Sequence, residues 1–101
     1  MHASSPTVWG PKTWEMLHLI TLKPNQPIQT YQAFLSSLSF VLPCKKCQRN
    51  YSEYLKQLPI PNTKRQLANW LIQIHNRANQ TIHKEQVNPQ QILTHWQQSL
   101  S

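Results

Sequence analysis

The chain has 101 residues, a single-domain length with room for one modest core and no second substantial module. Four Trp, three Tyr and two Phe within a 39% apolar fraction argue against disorder, and one Gly with no Asp excludes the hairpin-rich turn chemistry of a β-sandwich or barrel. Ten Lys and Arg against Glu15, Glu53 and Glu85 give a net charge of +7, which suits polyanions such as nucleic acid, acidic membranes or phosphorylated cofactors.

Apolar spacing reads as helix throughout. The first helix is predicted from Gly10 or Pro11 to Leu22, with Trp14, Leu17, His18 and Leu22 on one face. Pro24-Asn25-Gln26-Pro27 ends it and opens a second, with Pro27 in the first turn and Tyr31, Phe34, Leu35, Leu38, Val41 and Leu42 at helical spacing. After Pro43 a third helix begins at Cys44 and runs through Tyr51, Tyr54, Leu55 and Leu58. Pro59-Ile60-Pro61-Asn62 is a loop, and Asn62 or Thr63 caps a fourth helix with Leu67, Trp70, Leu71, Ile74, His75 and Ala78 inward. Asn88-Pro89, an N-cap followed by an N1 proline, opens a short fifth through Ile92, Leu93 and Trp96. The predicted fold class is all-α, a four-helix bundle of antiparallel helices with a short fifth, as one domain over residues 1–101.

The opening residues lack a basic segment followed by an apolar one, and no stretch approaches the roughly 18 apolar residues of a membrane span. The expectation is a soluble cytoplasmic protein.

Cys44 and Cys47 are the only cysteines. Three apart at a helix start, they share a face and can form a short, strained bridge. A bridge closing so short a loop restricts the unfolded chain very little, so it is no structural staple. The positive end of the helix, with Lys45, Lys46 and Arg49, favours thiolate, the reactive form. A redox-cycling dithiol fits better than three alternatives. Zinc would want two further ligands, and His75 and His83 are distant and badly spaced. Inert thiols would sit on an apolar face, and a thioredoxin-like enzyme would need strands around the motif. No metal is expected.

Three blocks carry a family resemblance. Trp9-Gly10-Pro11-Lys12-Thr13-Trp14-Glu15-Met16-Leu17-His18 resembles the Trp-Gly-x-x-x-Trp-x-x-Leu-His opening of the Erv/ALR sulfhydryl oxidases. Pro43-Cys44-Lys45-Lys46-Cys47 is similar to their Pro-Cys-x-x-Cys redox centre. Trp70 through Asn79, containing His75-Asn76-Arg77-Ala78-Asn79, resembles their Trp-x-x-x-x-His-Asn-x-Val-Asn segment, and Lys84 falls at the family's downstream lysine. The blocks stand in the family's order and cover nearly the whole chain. Ala78 replaces the usual Val, and Leu22 stands where many members have a Tyr near the cofactor. The distal shuttle cysteines and the helix-clamping disulfide of longer members are missing. The result is similar to the short oxidases of large cytoplasmic DNA viruses.

The resemblance implies FAD held within the bundle, with Trp9, Gly10, Lys12, Trp14, His18 and Cys47 contacting it from the first and third helices. From the fourth helix and beyond it implies Trp70, His75, Asn76, Asn79 and Lys84. These residue types suit a dinucleotide, whose flat rings want aromatic or imidazole neighbours and whose phosphates want cations. Trp14 and His18, four apart, share one face, as do His75 and Asn79, while Lys84 and either Arg77 or Lys12 supply charge. Trp96 reads as ordinary core.

The activity implied is thiol oxidation: substrate thiolate attacks Cys44, flavin-proximal Cys47 passes two electrons to FAD, and oxygen takes them to give hydrogen peroxide. The implied partners are substrate protein dithiols such as a thioredoxin-like shuttle, molecular oxygen, and a second copy in a homodimer. The alternative from another class is a small basic helical module that binds nucleic acid or a protein without catalysis. It explains +7 directly. Its cations are scattered along the chain, however, and it leaves Cys44, Cys47 and the His-Asn cluster unused.

Overall fold

The structure, a computed structural model, describes residues 5–99, without the side chains of Trp96 and Ser99. The core role expected of Trp96 therefore lies outside the described residues. Five α-helices follow in order: α1 Pro6–Leu22, α2 Ile28–Val41, α3 Lys45–Gln57, α4 Leu67–Thr81 and α5 Pro89–Ser99. A single 3-10 turn, Lys64–Gln66, leads into α4, and the described residues contain no strand. The all-helical class expected from apolar spacing holds.

Helix α1 starts four residues earlier than Gly10-Pro11 suggests. Ser5 caps it, its hydroxyl accepting from the Thr7 N–H at 3.4 Å, and Pro6 takes the first turn, where a missing N–H costs nothing. Pro11 lies inside the helix. Two Pro signals compete here, and the one with a side-chain cap wins.

Helix α2 opens at Pro27, and the Tyr31 hydroxyl fixes the preceding turn by accepting from the N–H groups of Asn25 and Gln26 at 2.8 and 3.1 Å. Its inward stripe is Tyr31, Leu35 and Leu38. Phe34 and Val41, expected on that face, are 38% and 64% exposed. Helical spacing names a face but not its width, and α3 is the main helix packed on α2.

The Tyr51 hydroxyl of α3 donates to the Leu35 carbonyl at 2.7 Å and ties α3 to α2 inside the core. Desolvation raises the Tyr51 pKa, which keeps that donor protonated. Helix α4 packs against α1, α3 and α5 together. Leu67, Trp70, Leu71 and Ile74 enter the main core, and Ile72, on another side of α4, is buried as well. Asn88 caps α5 as expected, its side-chain oxygen accepting from the Gln90 and Gln91 N–H groups at 2.9 and 3.2 Å.

Candidate functional site

Cys44 takes the N-cap position of α3 with extended backbone (φ −160°, ψ 120°), and its Sγ accepts the Cys47 N–H at 3.2 Å. Sulfur does here what a Ser or Asp oxygen does at most helix starts. The turn before it is pinned at the Leu42 carbonyl, which accepts from the Cys44 N–H at 2.8 Å and from the Gln48 side chain at 2.7 Å. Both thiols are free and partly exposed.

The two sulfurs differ in acidity. A hydrogen bond from the Cys47 thiol lowers the Cys44 pKa, helped by the N–H groups of Cys47 and Lys46 and last by the Lys46 charge, against an opposing desolvation. Cys47 moves the other way, pushed up to about 11 by burial first, then by donating to Cys44 and by the Cys44 charge. The reduced pair thus holds its negative charge on Cys44, with the Cys47 thiol as donor. The expected push from the surrounding cations is mostly absent: Lys46 makes the smallest contribution, and Lys45 and Arg49 are not among the groups that shift either sulfur. All three side chains are exposed, where water screens them.

A second cluster lies where α1 meets α4. The Trp14 indole stacks on the His75 imidazole with centroids 4.1 Å apart and planes 10° from parallel. His18 Nε2 and His75 Nδ1 are 2.9 Å apart, so one ring donates and the other accepts. His18 is 5% exposed, and its pKa falls to about 4, by desolvation and then by its neighbour His75. His75 falls to about 4 as well, by desolvation and then by the Lys84 charge. At neutral pH the pair is uncharged, one imidazole donating to the other.

Lys84 reaches this cluster because a strap, residues 82–88, is tied to α4. Asn76 exchanges two hydrogen bonds with Val87, accepting its N–H at 2.7 Å and donating to its carbonyl at 3.3 Å. Asn79, 6% exposed, donates from its side chain to the Glu85 carbonyl at 3.0 Å, and its own carbonyl accepts the Lys84 N–H at 2.7 Å. His83 begins the strap at φ 59°, a left-handed conformation that His tolerates better than most residues.

Of the residues singled out in the sequence, the structure gathers Trp14, His18, His75, Asn79 and Lys84, with Asn76 at their edge. Trp70 stands in the core at 5% exposure, its indole N–H donating to the Leu58 carbonyl at 2.8 Å. Gly10 is buried, Trp9 half-buried and Lys12 exposed in the first half of α1. Arg77 donates to the Gln57 side chain of α3, two positions and so roughly half a turn away from His75. Cys44 and Cys47 stand at the start of α3, which packs on α4.

Sequence reasoning missed Thr21, 1% exposed, whose hydroxyl donates to the Leu17 carbonyl at 2.9 Å. It also missed a seam, too tight to hold a water molecule, in which Thr21, His18 and Leu22 face Ile72, Ile92 and Leu93. Thr21 looks like a surface residue in the sequence, and nothing in its neighbours says otherwise.

Comparison with known proteins adds the following. The family model described as Erv1/Alr matches residues 11–97. A protein of Acanthamoeba polyphaga mimivirus named "Probable FAD-linked sulfhydryl oxidase" is 34% identical over 84 residues, 74% of this chain and 59% of the relative. The FAD-linked sulfhydryl oxidase of African swine fever virus (isolate Pig/Kenya/KEN-50/1950) is 29% identical over 99 residues, 91% of this chain and 82% of the relative. A rice FAD-linked sulfhydryl oxidase is 27% identical over 93 residues, 86% of this chain and 48% of the relative. The chain spans little more than half of the mimivirus relative and about half of the rice one.

Proposed function

The chain belongs to the Erv1/Alr family, and we propose that it is a single-domain FAD-dependent thiol oxidase that forms disulfides in substrate dithiols. The observation that carries this reading is the asymmetric cysteine pair, with an anion-favouring, half-exposed Cys44 and a more desolvated Cys47 one turn inside. The proteins it resembles in mimivirus and African swine fever virus are named FAD-linked sulfhydryl oxidases.

The residues fit an FAD. Trp14, His18 and His75 offer flat faces on two adjoining helices, and Lys84 offers a cation to a phosphate. Gly10 adds a further sign. It lies buried in a helix interior directly before Pro11, and apart from its chain neighbours and its own helix backbone a Cβ built there would meet nothing within 4 Å. The proline that follows favours a glycine there, and a cofactor lying over α1 would favour it too. In this reading α1 to α4 form the bundle that encloses the flavin, and α5 covers one side of it. The seam behind α5 has no room for a ligand as it stands, so in this reading α5 gives way as the cofactor enters.

The cysteines do the thiol chemistry. Starting from the oxidised pair, a substrate thiolate attacks Cys44 Sγ. The substrate–Cys44 bond forms, the Cys44–Cys47 bond breaks, and Cys47 leaves as thiolate. The second substrate thiolate then attacks the substrate sulfur and expels Cys44, whose lowered pKa makes it the better leaving group. The substrate is now a disulfide, and the pair holds its two electrons. Two protons have passed to solvent or to the Cys47 thiol. Bound FAD supplies the two-electron acceptor that returns the pair to the disulfide and the route onward to molecular oxygen, with hydrogen peroxide as product.

Protein dithiols, a thioredoxin-like shuttle among them, are the proposed substrates. Val8 and Met16 of α1, 47% and 51% exposed, offer apolar contact for a homodimer. No helix among the described residues is long and apolar enough to cross a membrane, and cytoplasmic location remains part of the proposal. The test is oxygen uptake by the FAD-loaded protein with dithiothreitol. Equimolar oxygen consumption, disulfide and peroxide are expected, with uptake lost in Cys47→Ala. Protein that retains no FAD, or that retains it and consumes no oxygen, would overturn the reading.

A further inference from the structure

We propose that the α2–α3 junction beside Cys44 is a docking surface for a dithiol-bearing polypeptide segment with acidic residues flanking its cysteine and a large apolar side chain close by. The inference rests on the oxidase reading and adds the substrate class.

The first observation is a charge arrangement that opposes folding. Lys45 and Lys46 occupy the first turn of α3, where the helix end is positive and cations are unfavourable, and no acidic residue offsets them there. Arg49, four residues after Lys45, adds a like-charge repulsion on the same face. The acidic residue of α3, Glu53, is bonded to Lys56 at 2.9 Å. None of the three cations has an ion-pair partner among the described residues. Nor do they chiefly tune the thiols, since the hydrogen bond from Cys47 leads and only Lys46 takes part. A local rule broken without a return inside the fold points to a partner outside it.

The second observation is apolar. Phe40 and Val41 end α2 at 80% and 64% exposure, the two most exposed large hydrophobics of the described core and surface. Val41 precedes Cys44 by three residues, so their Cα atoms lie within about 11 Å of one another. The turn between them is pinned at the Leu42 carbonyl by the Cys44 N–H and the Gln48 side chain. The apolar pair, the basic trio and the accessible sulfur therefore keep a fixed relation.

Charge selects the occupant. A symmetric contact between two copies would set the patch against itself, bringing two sets of Lys45, Lys46 and Arg49 together on chains that each carry +7. An acidic segment instead gains complementary charge along its whole approach. Its apolar residue covers Phe40 and Val41 while its thiolate meets Cys44 Sγ, and the exchange that follows is the one already written.

The test compares FAD-loaded protein acting on dithiothreitol and on three Cys-x-x-Cys peptides of one length: Glu and Leu flanking, Lys and Leu flanking, and Glu and Ser flanking. The expected kcat/KM for the Glu and Leu peptide is at least tenfold above the Lys and Leu peptide at low salt. The gap should shrink severalfold at high salt, where exposed charges are screened. Phe40→Ala should cost severalfold on the Leu peptides only, and Lys45→Glu with Arg49→Glu should erase or invert the charge preference. Both variants should oxidise dithiothreitol at the unaltered rate, and the charge reversal should not lower the melting temperature. Equal kcat/KM for all three peptides would overturn the docking surface alone, and so would parallel loss with dithiothreitol. Wild-type protein inert toward dithiothreitol would remove the oxidase reading and this inference with it. Conversion of a dimer to monomer by Phe40→Ala would assign the patch to self-association. Loss of co-sedimentation with phosphatidylserine vesicles would assign it to a membrane.

Discussion

Cys44 owes its acidity mainly to one neighbour. The Cys47 thiol donates to it, the helix-end N–H groups follow, and the exposed Lys46 charge comes last. Removing the thiol donor should therefore matter more than removing a lysine. In the reduced protein, the pH midpoint for alkylation of Cys44 should rise in Cys47→Ala, which removes the leading cause of its lowering. It should rise less in Lys46→Ala, as expected of an exposed charge that comes last among the causes. Iodoacetamide rates from pH 5 to 10 measure both. A larger shift in the lysine variant would show that charge rather than hydrogen bonding governs the site. The opposite displacement of Cys47, to about 11, follows from its burial and assigns the two sulfurs different work.

Helix α1 carries Gly10, Trp14 and His18 toward α4, and its glycine can be tested apart from its rings. Gly10→Ala should lower the melting temperature of the cofactor-free chain, because a Cβ on the residue before Pro11 crowds the proline ring in the helical conformation. The same variant should bind FAD more weakly. Thermal melts with and without FAD check both, and an alanine that leaves the cofactor-free melting temperature and its rise with FAD unchanged would contradict them. Much of this arrangement was legible in the sequence. The i,i+4 spacing put Trp14 and His18 on one face, Asn88-Pro89 announced α5, and Pro43-Cys44 marked the start of α3. What stayed hidden depends on how neighbouring elements meet. That Trp14 stacks on His75 rather than on His18 is set by the α1–α4 contact. That Asn76 holds Val87, eleven residues on, is set by the path of a strap which no local spacing encodes. Ile72 is buried because α4 has neighbours on several sides, and Phe40 is exposed because the end of α2 is left uncovered.

At the scale of the whole molecule, the buried imidazole pair couples folding to pH. His18 and His75 titrate near 4 in the folded chain and near 6.5 unfolded, so between those values the unfolded chain binds protons that the native one refuses. Stability should be full above about pH 6.5, fall through that window, and have lost this contribution below about pH 4. The two groups together are worth on the order of 2–4 kcal/mol, a large share of the total for a small domain. With three Glu and no Asp, carboxylates are few enough for the histidines to dominate acid sensitivity. Urea midpoints at pH 7 and pH 4.5 should differ clearly in the wild type and much less in His18→Gln/His75→Gln; equal slopes would contradict this origin. The central claim is that electrons leave the chain through Cys47 to a flavin seated beside the α1–α4 rings. Anaerobic mixing of the FAD-loaded protein with dithiothreitol tests it most directly, read as bleaching of flavin absorption. The account predicts rapid and complete bleaching in the wild type, and none beyond the rate of free FAD in Cys47→Ala with its flavin still bound. Equal bleaching in the two proteins would contradict it.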